Sequence, residues 1–330
     1  MGKRITIKDI VQQLNVSISK VSKALNDSDD TKELVKQYAA KHKYRSNKLA
    51  LSLLNKRTKA IAVITPNILN NFFSKVFAGI EEVATNNGYT LISCISNESY
   101  NKEVKTIDFL NNESLEGLIV SIAEEIQLKK SYEHFQKVID QGIELVLFNR
   151  VTDKVDCDKI VDDDFDGAYN ATKDLLHTGC KNVAVISLID SLNLGKLRVE
   201  GYKKAILESN KKLISDLIIH VDKTKDFNTQ VDPVFFKYKI DGLLCLEEKS
   251  VLKSSSLVKS KGYRIPDDIS IVCFTNGQIP RYITPSITTI SQHAKQIVRA
   301  AASKLITRLE NPNRGAYSTE VIKASFIERE

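Results

Sequence analysis

Runs of adjacent acids at Glu124-Glu125, Asp162-Asp163-Asp164 and Glu247-Glu248 are a natural place to look for acid–base chemistry in this chain of 330 residues. Neighbouring side chains on a strand point to opposite faces, so such pairs do not meet over one substrate. The histidines (His42, His134, His177, His220 and His293) stand apart, with no H-E-x-x-H and no metal-ligand spacing. No G-x-G-x-x-G follows an apolar run, and neither a P-loop nor a G-x-S-x-G elbow is present. Cys94, Cys157, Cys180, Cys245 and Cys273 lie far apart without a C-x-x-C pair. They read as free thiols in a reducing cytoplasm rather than as disulfides or a metal site. The expectation is a protein without catalysis, cofactor or metal.

The residue types that do form a pattern are polar and basic, and they crowd one short stretch. From Ser17 to Asn26 a helical spacing buries Val21, Ala24 and Leu25 and turns Ile18, Ser19, Lys20, Ser22 and Lys23 outward. Such a face can donate to phosphates and read base edges. An element must hold it, and the preceding residues supply one. Ile7, Ile10, Val11 and Leu14 recur at helical spacing, Thr6 can cap that helix with Asp9 three residues on, and Asn15 permits a turn. This is the plan of a helix-turn-helix. Leu34, Val35, Tyr38 and Ala39 give a third helix an apolar stripe. Charge agrees: residues 1–60 hold 14 Lys/Arg against five Asp/Glu, whereas the remainder holds 34 against 36. A basic head on a near-neutral body suits a polyanion.

T-I-K-D-I from Thr6, V-S-x-S-K-V-S-K-A-L-N from Val16 and Y-R-S-N-K-L-A-L-S-L from Tyr44 to Leu53 resemble the head of lac-repressor-type (LacI/GalR family) transcription regulators. The resemblance implies a DNA-binding role for Thr6, Ser17, Ile18, Ser19, Lys20, Ser22, Lys23, Asn26 and Asn47. It also implies a hinge helix whose leucine, here Leu53, wedges into the minor groove. An apolar side chain can partly unstack a base step and kink the duplex. The loop between the second and third helices is shorter and more acidic than in relatives, Ser46 stands where they have proline, and Leu51 where they often have arginine.

From Ala60 the pattern changes. Apolar runs at 60–65, 90–96, 117–123 and 144–149, then at 182–189, 217–222, 242–247 and 270–276, alternate with helical stretches. Gly88, Gly142, Gly179 and Gly262 sit where helices would end. Near-continuous apolar strands alternating with helices mean parallel sheets covered on both faces, and two series mean two lobes. In the resembled family these lobes face each other across a small-molecule cleft at the carboxyl ends of the strands. The resemblance places Phe72, Phe73, Ser121, Asn149, Arg150, Arg198 (in R-V-E-G-Y), Glu247, Thr275 and Asn276 at that cleft. Glu247-Glu248 replaces the usual Asn-Asp, and Thr275-Asn276 replaces Asp-Asp or Asp-Asn.

The expected architecture is a small all-α helix-turn-helix head plus an α/β two-lobed core with periplasmic-binding-protein-like parallel sheets. Expected boundaries are 1–46 for the head, 47–59 for the hinge, 60–158 with 291–318 for the first lobe, and 159–290 with 319–330 for the second. The expected function is a cytoplasmic, homodimeric repressor of a double-stranded DNA operator, controlled by a sugar-like effector, with no membrane partner. A periplasmic-type sugar-binding protein and a DNA-tethered enzyme are the rivals; the basic head and the lack of a signal core or catalytic constellation count against them.

Overall fold

The computed structural model describes residues 5–18, 20–21, 24, 32–42, 57–111, 115–277, 279–311 and 315–329, and the chain divides into two compact units, 1–58 and 59–330.

In the first unit, helix α1 (Ile7–Leu14) starts at a capping box. The Thr6 N–H donates to Asp9 Oδ2 at 2.7 Å, and Thr6 Oγ1 accepts from the Asp9 N–H at 3.4 Å. Asn15 ends the helix in the left-handed region (φ 50°), where its short polar side chain is tolerated. Ser17 then starts the next helical turn: Oγ accepts from the Lys20 N–H at 3.3 Å, and its carbonyl from the Val21 N–H at 3.0 Å. Helix α2 (Lys32–Lys41) follows. Ile10, Val21, Ala24, Val35 and Ala39 form the core of this unit, flanked by Ile7, Val11, Leu14 and Tyr38. Leu34, expected in that stripe, is 67 % exposed instead. Leu25 and the hinge at 47–54 lie outside the described residues.

The second unit carries two six-stranded sheets. One runs β11-β5-β4-β3-β1-β2 and the other β12-β10-β9-β8-β6-β7. Their strands are β1 (Ala60–Thr65), β2 (Thr90–Ile95), β3 (Gly117–Val120), β4 (Glu144–Phe148), β5 (Asp158–Asp162), β6 (Val183–Ser187), β7 (Ile218–His220), β8 (Gly242–Cys245), β9 (Ser270–Phe274), β10 (Thr288–Ser291), β11 (Thr319–Ile322) and β12 (Ser325–Ile327). Every pairing is parallel except β10 with β12. Alternation along β1 explains the two-sided burial. Ile61 and Val63 pack on helices α3 (Asn71–Asn86) and α12 (Ala294–Glu310). Ala62 and Ile64 face α4 (Tyr100–Asn111), α5 (Glu124–Lys129) and α6 (Glu133–Asp140). In the second sheet Val183 and Val185 face α7 (Asp164–His177) and α8 (Asn193–Glu208). Ala184 and Ile186 face α9 (Phe227–Tyr238) and α10 (Glu248–Ser260). A short α11 (Ile279–Tyr282) precedes β10.

The chain crosses between lobes after Asp162, after Ser291 and after Ile322. The expected crossings at 158/159 and 318/319 are therefore corrected: 159–162 and 319–322 belong to the first sheet, where β5 pairs with both β4 and β11. The charged sequence D-K-I-V-D hid β5. Its Asp158 is buried because Arg308 of α12 pairs with it at 2.6 Å. The crossing expected at 290/291 falls one residue later, since Ser291 still pairs with β12.

Candidate functional site

Between the carboxyl ends of the two sheets lies a narrow cleft, with a cavity of about 80 Å³. Phe72 and Phe73 enter it from the first turn of α3, which Asn70 caps by accepting the Phe72 N–H at 2.8 Å. The two rings meet edge to face, 5.2 Å between centroids. Asn149 and Arg150 follow β4. Asn149 holds a left-handed backbone (φ 57°), which turns the chain so that both side chains reach the cleft. The Arg150 guanidinium lies 5.7 Å from the Phe73 ring centroid and donates to Glu98 Oε2 at 2.6 Å.

From the second lobe, Arg198 projects from the first turns of α8 and is 2 % exposed. It lies over the Phe274 ring at 3.9 Å, Nε donates to Asp164 Oδ1 at 2.7 Å, and Nη1 donates to the Leu246 carbonyl. Nη2 sits 2.7 Å from the same Asp164 oxygen, yet its N–H bonds are not aimed at it and find no acceptor among the described residues. Glu247 stands at the end of β8. Its Oε2 accepts from the Leu188 N–H at 3.4 Å, whereas the buried Oε1 has no donor among the described residues. Thr275 donates to Glu248 Oε2 at 2.6 Å, and Asn276 bonds Gln292 and Ser291 at 3.3 Å.

The cleft is short of donors for its acids. Burial pushes the Glu247 carboxyl up to about 7, against the hydrogen bonds it accepts. Burial also raises Asp164 despite Arg198 beside it. Asp162, behind the cleft, is raised well above the carboxylate range by burial and by the neighbouring Asp164. Asp162 Oδ2 accepts from Asn149 at 3.2 Å and Gln292 at 2.8 Å, joining residues from both sides of the crossings, while Oδ1 has no donor among the described residues. A ligand rich in hydroxyl or N–H donors would satisfy the acceptor that lines the cavity, Glu247 Oε1.

Both lips of the cleft are latched. On one, Asn71 donates to Glu248 at 2.8 Å and Lys75 to the Asn276 carbonyl. On the other, Gln127 and Asn193 exchange bonds of 2.9 and 3.0 Å, and Glu124 accepts from Ser191 and Lys223 at 2.6 Å each. Burial disfavours the charge on Glu124, but the bonds from Lys223 and Ser191 outweigh it and hold the carboxyl below its ordinary range. Entry of a ligand requires the lobes to part.

Phe72, Phe73, Asn149, Arg150, Arg198, Glu247, Thr275 and Asn276 thus line one cleft. Ser121 does not: it is fully buried behind the wall, its Oγ without a partner among the described residues. Sequence reasoning missed Asn70, Ile189, Leu192, Leu194, Phe274 and Gln292 as lining residues, and Glu98, Asp162 and Asp164 as supports. The acid triplet at 162–164 was the available signal; the apolar members carried none. In the head, Thr6, Ser17, Ile18 and Lys20 are exposed, Ile18 by 48 %. Ser19, Ser22, Lys23, Asn26, Asn47 and Leu53 lie outside the described residues.

Among the described residues no group of three or more His, Cys, Asp or Glu is placed to hold a metal, and no helix is long and apolar enough to cross a membrane. The five cysteines are free, with the Cys157 and Cys245 thiols pushed by burial up to about 12, far from nucleophilic.

Residues 172–330 match the family described as a periplasmic binding protein-like domain. The chain is 27% identical over 335 residues to the ribose operon repressor of Haemophilus influenzae, covering 98% of each. It superposes on the Lac repressor bound to ONPG with a TM-score of 0.81, at 18% identity over 99% of both chains. A LacI family regulator from Enterococcus faecium with bound ribose matches at TM-score 0.70 and 22% identity, over 82% of this chain and 97% of that one.

Proposed function

The chain belongs to the LacI/GalR family of transcription regulators, and on that footing we propose a cytoplasmic, homodimeric repressor whose grip on a DNA operator is set by a sugar or sugar derivative held between the lobes. The observation that carries the ligand reading is the cleft itself. It sets an aromatic pair beside the Arg198 guanidinium and Glu247 Oε1, a buried acceptor with no donor among the described residues. An apolar ring surface with a few convergent polar groups is how proteins hold a small polar ring. That one relative is named for ribose and that a structural neighbour holds ribose supports the same class.

In this reading Phe72, Phe73, Asn149, Arg150, Arg198, Glu247, Thr275 and Asn276 contact the effector, and Ser121 supports the wall. Ile18 and Ser19 read base edges, with Lys20, Ser22 and Lys23 on bases or phosphates. Thr6, Ser17, Asn26 and Asn47 contact the backbone, and Leu53 wedges the minor groove. Two-fold operators suit a dimer of such heads. The effector acts by its differential fit to open and closed lobes, since equal affinity for both would shift nothing. A gel shift with the promoter beside its own gene, titrated with a panel of sugars, tests both halves at once. Retarded DNA released or tightened by one sugar is the expected result. Absence of any specific shift removes the regulator reading.

A further inference from the structure

Two cationic side chains line the cleft, Arg150 and Arg198, and each meets a carboxylate that belongs to the protein. Arg198 is paired with buried Asp164. Arg150 is paired with Glu98 at 2.6 Å, the arginine 10 % and the glutamate 34 % exposed. Glu98 is set for this by its own surroundings. Its backbone is left-handed (φ 61°), Oε2 also accepts the Glu124 N–H at 2.8 Å, and its carbonyl accepts the Glu125 N–H at 3.2 Å. The cleft acids lack such balance. Glu248 is held by the neutral groups of Thr275 and Asn71, and Glu247 by the neutral donors of Ser250 and the Leu188 N–H. The cations are offset and the acids are not.

Resting on the sugar reading above, we infer that Glu98 is a positioning and specificity-determining residue: by offsetting Arg150 it makes the cleft select an uncharged polyhydroxylated ligand over carboxylate or phosphate analogues of the same skeleton. The guanidinium then serves as an oriented hydrogen-bond donor, while Glu247 Oε1 accepts from a ligand hydroxyl. A ligand anion would have to compete with Glu98 for Arg150 and approach Glu248 against like charge.

The test is calorimetry on the full-length chain with matched series that differ only in charge: ribose, ribonate and ribose 5-phosphate, and glucose, gluconate and glucose 6-phosphate. The wild type should bind the neutral member of one series at least about tenfold tighter than its charged partners, as like-charge contact demands. Glu98→Gln should cut that ratio most for the carboxylate, and more so at low salt than high. In the Arg150→Gln background Glu98→Gln should change the ratio less, because no guanidinium is left for it to release. Arg150→Gln alone should raise it, which keeps the idea testable if Glu98→Gln does not fold. Preference of the wild type for a charged member overturns this inference and leaves the sugar reading standing. Equal weakening of all three members by Glu98→Gln marks a merely structural residue and also overturns it. No binding in either series overturns the sugar reading, and this inference with it.

Discussion

Asn71 Nδ2 donates across the cleft to Glu248 Oε1 at 2.8 Å, and the other oxygen of that carboxylate accepts from Thr275 at 2.6 Å. One side chain therefore serves a lip latch and a cleft wall together. Glu248→Ala should loosen closure and weaken effector binding by roughly 10–150-fold, the equivalent of one lost hydrogen bond to a charge. Small-angle scattering of the ligand-bound protein is the check. A mutant as compact as the wild type with unchanged affinity removes the latch from the account.

Arg198→Ala should abolish the response to effector, but the geometry adds a second effect. Removing the guanidinium strands Asp164, which is 2 % exposed, and breaking a buried pair costs roughly 3–5 kcal/mol. Arg198→Met with Asp164→Asn should recover much of that stability and still not respond. Urea denaturation of the single and double variants measures the first claim, and operator binding with and without effector the second.

Glu247 gives a pH dependence of known sign. Its folded value of about 7 lies above the ordinary 4.5, so the fold takes up a proton that the unfolded chain releases. Its contribution favours the fold fully below about pH 4.5 and is lost as pH rises through about 7. Because the side chain keeps some solvent contact, about 1–2 kcal/mol is the expected span. Glu247→Gln should flatten this component in ligand-free melts between about pH 4.5 and 7, the window of the two values. An identical pH profile for both proteins refutes the assignment.

Ile18 is 48 % exposed on a helical turn whose Val21 and Ala24 are buried, as a base-reading position requires. Exchanging Ile18 together with Ser19 should change the preferred operator, at about 1–3 kcal/mol per lost base contact. Lys20→Ala should instead weaken all DNA alike and reduce the salt dependence. A binding-site selection that returns the same sequence for both proteins would end the assignment of Ile18.

Gly201, in R-V-E-G-Y, is where α8 meets α7. A Cβ there would lie 2.2 Å from the Phe165 carbonyl oxygen, with backbone on both sides of the clash. Gly201→Ala should cost about 1–3 kcal/mol and lower the melting temperature. Gly315→Ala, with nothing near its Cβ, is the control.

How far the sequence spoke depended on the kind of signal each element carried. Thr6 with Asp9, Asn15 and Ser17 are local devices, and the structure repeats each of them. Gly88, Gly142, Gly179 and Gly262 all take positive φ at helix ends, as their spacing implied. Strand β5 was invisible because its charged ends are sheltered by partners distant in sequence, Arg308 above all, and β11 because its short T-E-V-I run is mostly exposed. Leu34 broke its stripe because periodicity marks a face without saying whether a neighbour covers it. In the cleft, residues at strand ends and at α8 were legible from motif positions. Leu192, Leu194 and Phe274 were not, since an apolar side chain at a cleft looks the same in sequence as one in a core. Asp164 and Glu98 matter only through the arginines they meet, and pairing across 34 and 52 residues leaves no local trace.

The three crossings of the chain also set an order of assembly during synthesis. The first lobe begins at β1, yet α12, which buries Ile297, Val298, Ala301 and Leu305 in its core, and β11, which completes its sheet, emerge only after β6 to β10 of the second lobe. At ribosomal rates of roughly 5–20 residues per second, the stretch from β5 to β11 takes roughly 8–30 s to make. Throughout that interval Val76 and Ile80 of α3 lack the helix that covers them. The lobe whose synthesis begins first therefore cannot close its core until nearly the whole chain has been made.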